Sequence, residues 1–235
     1  MRFSDVKETL IELIFPNCCM VCGEVLEFRK EKWLCPKCRL ETISKKTCDI
    51  CGVPIIANNI CKDCQDKKLY FKRAYCAYEY KDKVRKAIHN IKFNNEPRNV
   101  EYFAGPLSDY AKAHGFSGAD IVVPVPMHKK KLKQRGYNQS AMLANFLANL
   151  GMGEYREALA KIRDTQNQHD LSEKERHKNL KDAFAVTGDV KDKKILLVDD
   201  IYTTGSTVNE CAKTLIKAGA ESVEVICIAI VNKRG

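Results

Sequence analysis

The sequence predicts an α/β protein, a mainly parallel sheet flanked by helices, with a small cysteine-rich domain at its N-terminal end. Three observations carry this. From about residue 70, short apolar runs alternate with stretches whose apolar residues recur at helical spacing. Several of these runs are almost continuously apolar, as strands covered on both faces require. Finally, nine of the twelve cysteines fall in the first 64 residues, eight of them as four CxxC pairs.

The opening stretch, MRFSDVKETLIELIFP, places Phe3, Val6, Leu10 and Leu13 or Ile14 at helical intervals, so it reads as a short helix docking on the core. Asp5, Glu8 and Glu12, and the lack of a small-residue cleavage site, argue against a secretory signal. No apolar run approaches the roughly 20 residues needed to cross a bilayer. The expectation is a cytoplasmic protein without a transmembrane segment, with peripheral contact at the inner membrane as the alternative.

In the reducing cytosol, cysteine pairs of this spacing suit metal better than disulfides. A CxxC turn points two sulfurs into one concavity, and two such turns complete a tetrahedral shell around zinc. Sequential pairing gives Cys19, Cys22, Cys35 and Cys38 to one Zn2+ and Cys48, Cys51, Cys61 and Cys64 to a second; a cross-braced pairing is the alternative. Gly23 and Gly52 follow Cys22 and Cys51 and permit a tight knuckle. With four protein ligands on each ion the zincs are structural, and a segment poor in apolar residues depends on them. Cys76, Cys211 and Cys227 sit in apolar surroundings and read as core. The domain division falls at 1–68, the N-terminal helix with its ribbons, and 69–235, the sheet.

Along that second domain, AYCAYEY (74–80) reads as a strand, and KVRKAIHNIKF (83–93) as a helix with Val84, Ala87, Ile88 and Ile91 on one face. NVEYFAGPLSDYAKAHG gives a second helix. DIVVPVP (120–126) is a strand stopped by prolines, and YNQSAMLANFLANLG (137–151) a helix ended by Gly151. AFAV, KKILLVDD and SVEVICIAIV supply further strands, with TVNECAKTLIKAGA a helix between the last two. In such sheets ligands bind beyond the carboxyl ends of strands.

The stretch ILLVDDIYTTGST (195–207) stands out in that context. Asp199 and Asp200 are expected to emerge at a strand's rim. Gly205 lets the backbone approach an anion, and Thr203, Thr204, Ser206 and Thr207 offer hydroxyls and amides at a helix N-terminus. Carboxylates repel phosphate, so the acids face something else, and ribose hydroxyls are natural donors to them. An acid-ended strand also occurs in P-loop ATPases, but the G-x-x-x-x-G-K-[ST] match they require is absent. GMG (151–153) is no dinucleotide fingerprint, because Arg156 stands where the third glycine belongs. The net charge of +10 is local: residues 71–135 hold 14 basic and 6 acidic groups. Within them Lys129, Lys130, Lys131, Lys133 and Arg135 follow a strand end and concentrate positive charge for an anion, with Arg135, fixed beside Gly136, the preferred contact. Asn138 and Gln139 read first as a helix cap.

LLVDDIYTTGST resembles the phosphoribosyl diphosphate (PRPP) motif of type I phosphoribosyltransferases. With VVPVPMHKKKLKQRGYNQSAMLA (122–144), QHDLSEKERHKNLKDAF (168–184) and the cysteine pairs, nearly the whole chain resembles the ComF family of competence-associated phosphoribosyltransferase-like proteins, with a double zinc ribbon in front. The resemblance implies a type I phosphoribosyltransferase-like fold. It implies that Asp199 and Asp200 act as the catalytic acids holding the ribose 2′- and 3′-hydroxyls, and that Thr203, Thr204, Gly205, Ser206 and Thr207 cradle the 5′-phosphate. Mg2+ would accompany PRPP, and the loop after VVPVP would take the pyrophosphate. Arg163, Gln168, Leu171, Arg176, Asn179, Ala183 and Phe184 match a loop and strand near the site. The implied role is natural transformation: PRPP binding by a protein that handles incoming single-stranded DNA, with competence-machinery proteins as partners. An active phosphoribosyltransferase of nucleotide metabolism with an unidentified acceptor is the alternative. Tyr70, Phe71, Tyr75 and Tyr78, near basic residues, are the aromatics a single strand could stack on, although most of them read as core.

Overall fold

The computed structural model describes residues 16–27, 30–93, 97–164, 180 and 182–232. The helix expected within residues 1–15, and Gln168, Leu171, Arg176 and Asn179, lie outside the described residues.

Nine-residue strands β6 (Lys194–Tyr202) and β7 (Ser222–Ile230) form the centre of a five-stranded, wholly parallel sheet. β1 (Ala74–Glu79) lies beyond β7, and β2 (Ile121–Pro124) and β3 (Glu154–Tyr155) beyond β6, giving the order β1-β7-β6-β2-β3. A separate antiparallel pair joins β4 (Leu159–Lys161) to β5 (Phe184–Val186). Among the described residues the α-helices are α1 (Lys62–Gln65), α2 (Asp82–Phe93), α3 (Glu101–Ala113), α4 (Lys129–Arg135), α5 (Gln139–Asn149) and α6 (Ser206–Lys217).

The pleat sends successive β6 residues to opposite faces. Leu196 and Val198 pack with α2, α3 and α5 through Ile88, Ile91, Phe103, Leu107, Leu143 and Leu147. Ile195 and Leu197 pack with α6 through Val208, Cys211 and Leu215. Each face also takes one cysteine cluster: the first joins the α2/α3/α5 side and the second the α6 side. Backbone bonds fasten the ribbons to β1, from Ala74 N–H to the Ile50 carbonyl (2.6 Å) and from Ile43 N–H to the Ala77 carbonyl (2.8 Å). They pair groups that an edge strand would otherwise leave open. Gly52 (φ +74°) lies so close that a Cβ there would stand 2.9 Å from the Ala74 carbonyl oxygen, so this glycine serves the docking as well as the knuckle.

Two local expectations change. The basic run after VVPVP is a two-turn helix rather than a loop, α4, with His128 accepting from Lys130 N–H at its start and Gly136 (φ 83°) ending it. β6 also continues past its acids, because β7 pairs along it as far as Tyr202. Asp199 and Asp200 therefore lie inside the strand, one half-buried and one buried, not at an exposed rim. Phe71, Tyr75 and Tyr78 are core (5%, 2% and 1% exposed), which removes three of the four aromatics from any stacking surface. Cys76, Cys211 and Cys227 are fully buried.

Candidate functional site

β2 ends early. Pro124 and Pro126 offer no N–H, and the last bond toward β6 runs from Val125 N–H to the Val198 carbonyl (2.8 Å). From Asp199 onward the β2-side edge of β6 is open, and the N-terminus of α5 enters the crevice.

Four consecutive residues, Tyr137-Asn138-Gln139-Ser140, organise this entry. The Tyr137 hydroxyl donates to the Ile91 carbonyl and ties down the last turn of α2. Asn138 caps α5 by accepting from Ser140 N–H (3.1 Å) and donates to the Val125 carbonyl (3.1 Å), fixing the helix to the end of β2. Gln139 donates from Nε2 to Asp200 Oδ2 (2.8 Å) and accepts at Oε1 from Arg135 (2.9 Å). Ser140 Oγ donates to Asp199 Oδ1 (3.0 Å). Capping explains Asn138, whereas Gln139 reaches the acids.

The sequence reading did not single out Lys92, whose ammonium lies 2.6 Å from Asp200 Oδ2. It sits at the C-terminal end of α2, one residue past the buried Ile91, where periodicity marks no site. Burial raises both carboxyls, but they end apart. At Asp199 the neighbouring Asp200 charge adds to burial and pushes the carboxyl up to about 7. At Asp200 the Lys92 ammonium and the Gln139 amide outweigh burial and hold the carboxyl below its ordinary range.

Beyond the acids the chain turns through Thr203 and Thr204 into Gly205 (φ 74°), which precedes α6 and supplies no side-chain cap. A Cβ at Gly205 would collide with the Tyr202 ring, whose Cζ would lie 2.6 Å away. Thr204 Oγ1 and Ser206 Oγ are 2.8 Å apart. Glycine is required by both conformation and space, and the first turn of α6 brings amides and positive dipole to a hydroxyl-lined turn. Thr203 is exposed, Thr204 and Thr207 are half-buried, and Gly205 and Ser206 are buried.

Of the basic residues, Arg135 joins the acids through Gln139 and stacks over Phe93 with its guanidinium carbon 5.5 Å from the ring centre. Lys129, Lys130 and Lys133 are exposed. Lys130 pairs with Asp164 at 3.0 Å, and His128, which offered no identifiable partner in the sequence, lies 3.4 Å from the same carboxylate. Lys161 on β4 is a further cation; burial and then neighbouring Lys131 push its pKa down, while Asp199 pulls it up. Arg163 is exposed, whereas Ala183 and Phe184 are buried in the α6-side core.

The ribbons gather their sulfurs in two sets: Cys19, Cys22, Cys35 and Cys38, and Cys48, Cys51, Cys61 and Cys64, within 4.8 Å of one another in each set. Cys22 and Cys35 sulfurs are 3.8 Å apart, and Cys51 and Cys61 sulfurs 3.7 Å. A tetrahedron with Zn–S of about 2.3 Å has edges of about 3.8 Å. Each set therefore fits one zinc ion with a closed shell, a structural site. Gly23 and Gly52 N–H groups close the knuckles on the Cys19 and Cys48 carbonyls (2.8 and 2.9 Å).

Family comparisons agree with both parts. The Phosphoribosyl transferase domain matches residues 138–235 and the Double zinc ribbon domain residues 10–65. The chain is thus a phosphoribosyltransferase-class α/β protein, of type I fold, preceded by zinc ribbons. Among relatives, the DNA utilization protein YhgH of Escherichia coli (strain K12) is 31% identical over 92% of this chain and 98% of its own. Competence protein F of Haemophilus influenzae is 28% identical over 88% and 94%, and competence protein ComFC of Bacillus subtilis 24% identical over 81% and 81%. The chain belongs to the ComF family.

Proposed function

We propose that this protein binds PRPP at the carboxyl end of β6 and works in DNA uptake, on single-stranded DNA in the cytoplasm. The observation that carries the ligand is the succession on one strand and turn: an acid pair beside α5, then a Gly205 bend opening α6 without a side-chain cap. Asp199 and Asp200 accept from the ribose hydroxyls, and Thr203 through Thr207 take the 5′-phosphate. Arg135 serves the diphosphate.

Mg2+ prefers oxygen ligands and keeps much of its water and phosphate shell. The carboxylates and hydroxyls here are of the matching kind, so the residues fit an ion that arrives on the diphosphate. When bound it would neutralise charge on that group. The chain's own part is to position the sugar and exclude water.

The DNA role is supported by relatives named for DNA utilization and competence, and by the basic excess of residues 71–135. Among the described residues no helix is long and apolar enough to cross a membrane. We place the domain boundary at residue 68. Calorimetry with PRPP and Mg2+ should show saturable binding that Asp199→Ala with Asp200→Ala abolishes while zinc content is unchanged; equal binding by that variant refutes the site. Binding of an oligonucleotide should weaken with salt at a log–log slope of about −0.7 per phosphate contacted, and a flat response rules the DNA role out.

A further inference from the structure

The acid pair has a resident cation. Lys92 reaches Asp200 Oδ2 at 2.6 Å with its side chain only 18% exposed and that of Asp200 12%. Gln139 donates to the same oxygen at 2.8 Å, so Oδ2 is held from two sides. The end of α2 is in turn anchored by the Tyr137 bond to the Ile91 carbonyl, one residue from Lys92. Arg135 completes the chain through Gln139 Oε1. Asp199 is served differently, by the Ser140 hydroxyl and the Asp200 amide.

This geometry leaves the two carboxyls unequal. One is ionised and clamped by an ammonium, while the other is held by neutral donors. Two adjacent carboxylates without that ammonium would share one proton or repel, and Asp200 would keep only neutral donors, the Gln139 amide among them. A sugar diol asks for two acceptors fixed at a set separation, and Lys92 and Gln139 together fix Oδ2 of Asp200. Among the described residues, the charged and titratable groups around Asp200 are Asp199 on β6, Lys92 on α2, Arg135 through Gln139, and the buried Cys227 on β7. Among the described residues, Lys92 is the cation that touches it.

We infer that Lys92, which lies outside the phosphoribosyltransferase-matching segment, is a positioning residue of the sugar site: it holds Asp200 ionised and oriented for the ribose hydroxyls and stays in place when PRPP binds. This rests on the PRPP reading above.

The test uses full-length, zinc-loaded protein with Lys92→Met and Lys92→Arg, each checked for zinc content and melting temperature. With PRPP and Mg2+ in a calorimeter, Lys92→Met should bind about tenfold or more weakly, as expected for a buried charge left without its partner. Lys92→Arg, which keeps the charge, should recover most of that loss. The pH at which binding is half lost on acidification should move upward in Lys92→Met, because Asp200 no longer has the ammonium that favours its anion. Unchanged affinity and pH profile in Lys92→Met overturns the inference, and so does tighter binding, which would make Lys92 a competitor for the sugar's place. A ligand-free arm separates the inference from the reading beneath it. The stability cycle of Lys92→Met, Asp200→Asn and the double variant should show coupling; absence of coupling removes the ion pair itself. If the cycle shows that coupling but the wild type binds no PRPP, the PRPP reading fails and the positioning role falls with it.

Discussion

The two faces of the sheet each hold a four-cysteine cluster, but the clusters stand in different relations to the site. The first, on the side of α2, α3 and α5, leaves Cys22 exposed and leans on α2 through the Asn90 amide, which donates to the Met20 carbonyl (3.0 Å). The second is buried at all four cysteines. Its Cys51 and Cys64 line a small cavity together with Tyr202, Thr203 and Thr204, the entry to the proposed phosphate turn. The chain leaving this cluster is gripped by α6: Asn209 accepts from Tyr70 N–H (2.8 Å) and donates to the Lys68 carbonyl (3.1 Å). Phe71 also meets Tyr202 edge-on, with ring centres 6.3 Å apart. The same kind of four-sulfur cluster thus packs against α2 on one face and lines a cavity with the proposed phosphate turn on the other.

The sharpest way to break this comparison is to remove one zinc at a time. A structural zinc contributes on the order of 10–16 kcal/mol in small domains, so loss of the second should unfold the floor of the site. Cys51→Ser with Cys61→Ser should lower PRPP affinity by about a hundredfold or more, while Cys22→Ser should change it by about threefold or less. A chelator should draw the first ion sooner, through exposed Cys22, leaving PRPP binding intact until the second leaves. Equal losses from both clusters, read by zinc content and calorimetry on the same samples, would erase the distinction.

Next in size is the turn itself. Gly205→Ala puts a side chain at φ 74° and into the Tyr202 ring, so the turn must shift. PRPP affinity should drop about tenfold or more with both zincs retained, at a stability cost of about 1–3 kcal/mol. Asn209→Ala is milder. It removes two bonds to a half-buried connector and should cost about 1–3 kcal/mol, with PRPP affinity down severalfold and zinc unchanged. A Gly205→Ala protein that binds normally would sever the turn from the ligand, and an Asn209→Ala protein that does so would sever the second cluster from the turn.

Much of this was legible in the sequence, for reasons the structure makes plain. Cysteine spacing shows that the sulfurs come in CxxC pairs, because such a turn is local; which pairs join, sequential or cross-braced, is read only from the folded chain. The strands of the sheet were readable because burial on both faces writes a continuous apolar run, as in Ile195 to Val198. The Asp-Asp and Gly205 stretch was readable because it lies on one strand and its turn. What escaped is what arrives from elsewhere. Lys92 stands 108 positions before Asp200, on a helix whose periodicity marks only its core face. Lys161 and the short strands β3 and β4 lack enough residues to show a period. Gln139 looked like a cap because capping is a local role, and its bond to Asp200 spans 61 positions. The burial of Asp199 and Asp200 escaped for a similar reason, since β7 extends the strand beyond the apolar run.

The last comparison is between the acids. Asp200 follows the parity of Leu196 and Val198 toward α2 and α5, whereas Asp199 shares that of Leu197. Their carboxyls are displaced in opposite directions, and the sign sets the pH behaviour. Asp199 is raised to about 7 by burial and by Asp200. Between the unfolded carboxylate range and about 7 the folded protein holds a proton that the unfolded chain has lost, so Asp199's contribution falls as pH rises through that window. Asp200, held low against burial chiefly by Lys92, contributes stability above the unfolded range and loses it as pH falls through its depressed value. Asp199→Asn removes a carboxyl that resists ionisation, so it should gain over the wild type at pH about 8, by roughly 2–4 °C in melting temperature for each kcal/mol recovered, and the gain should vanish near pH 4. Asp200→Asn should instead lose stability at neutral pH, because it leaves Lys92 half-buried without its partner. Melting curves of ligand-free protein across that range separate the two, and parallel curves for both variants would show that the Lys92 ammonium does not set the two acids apart.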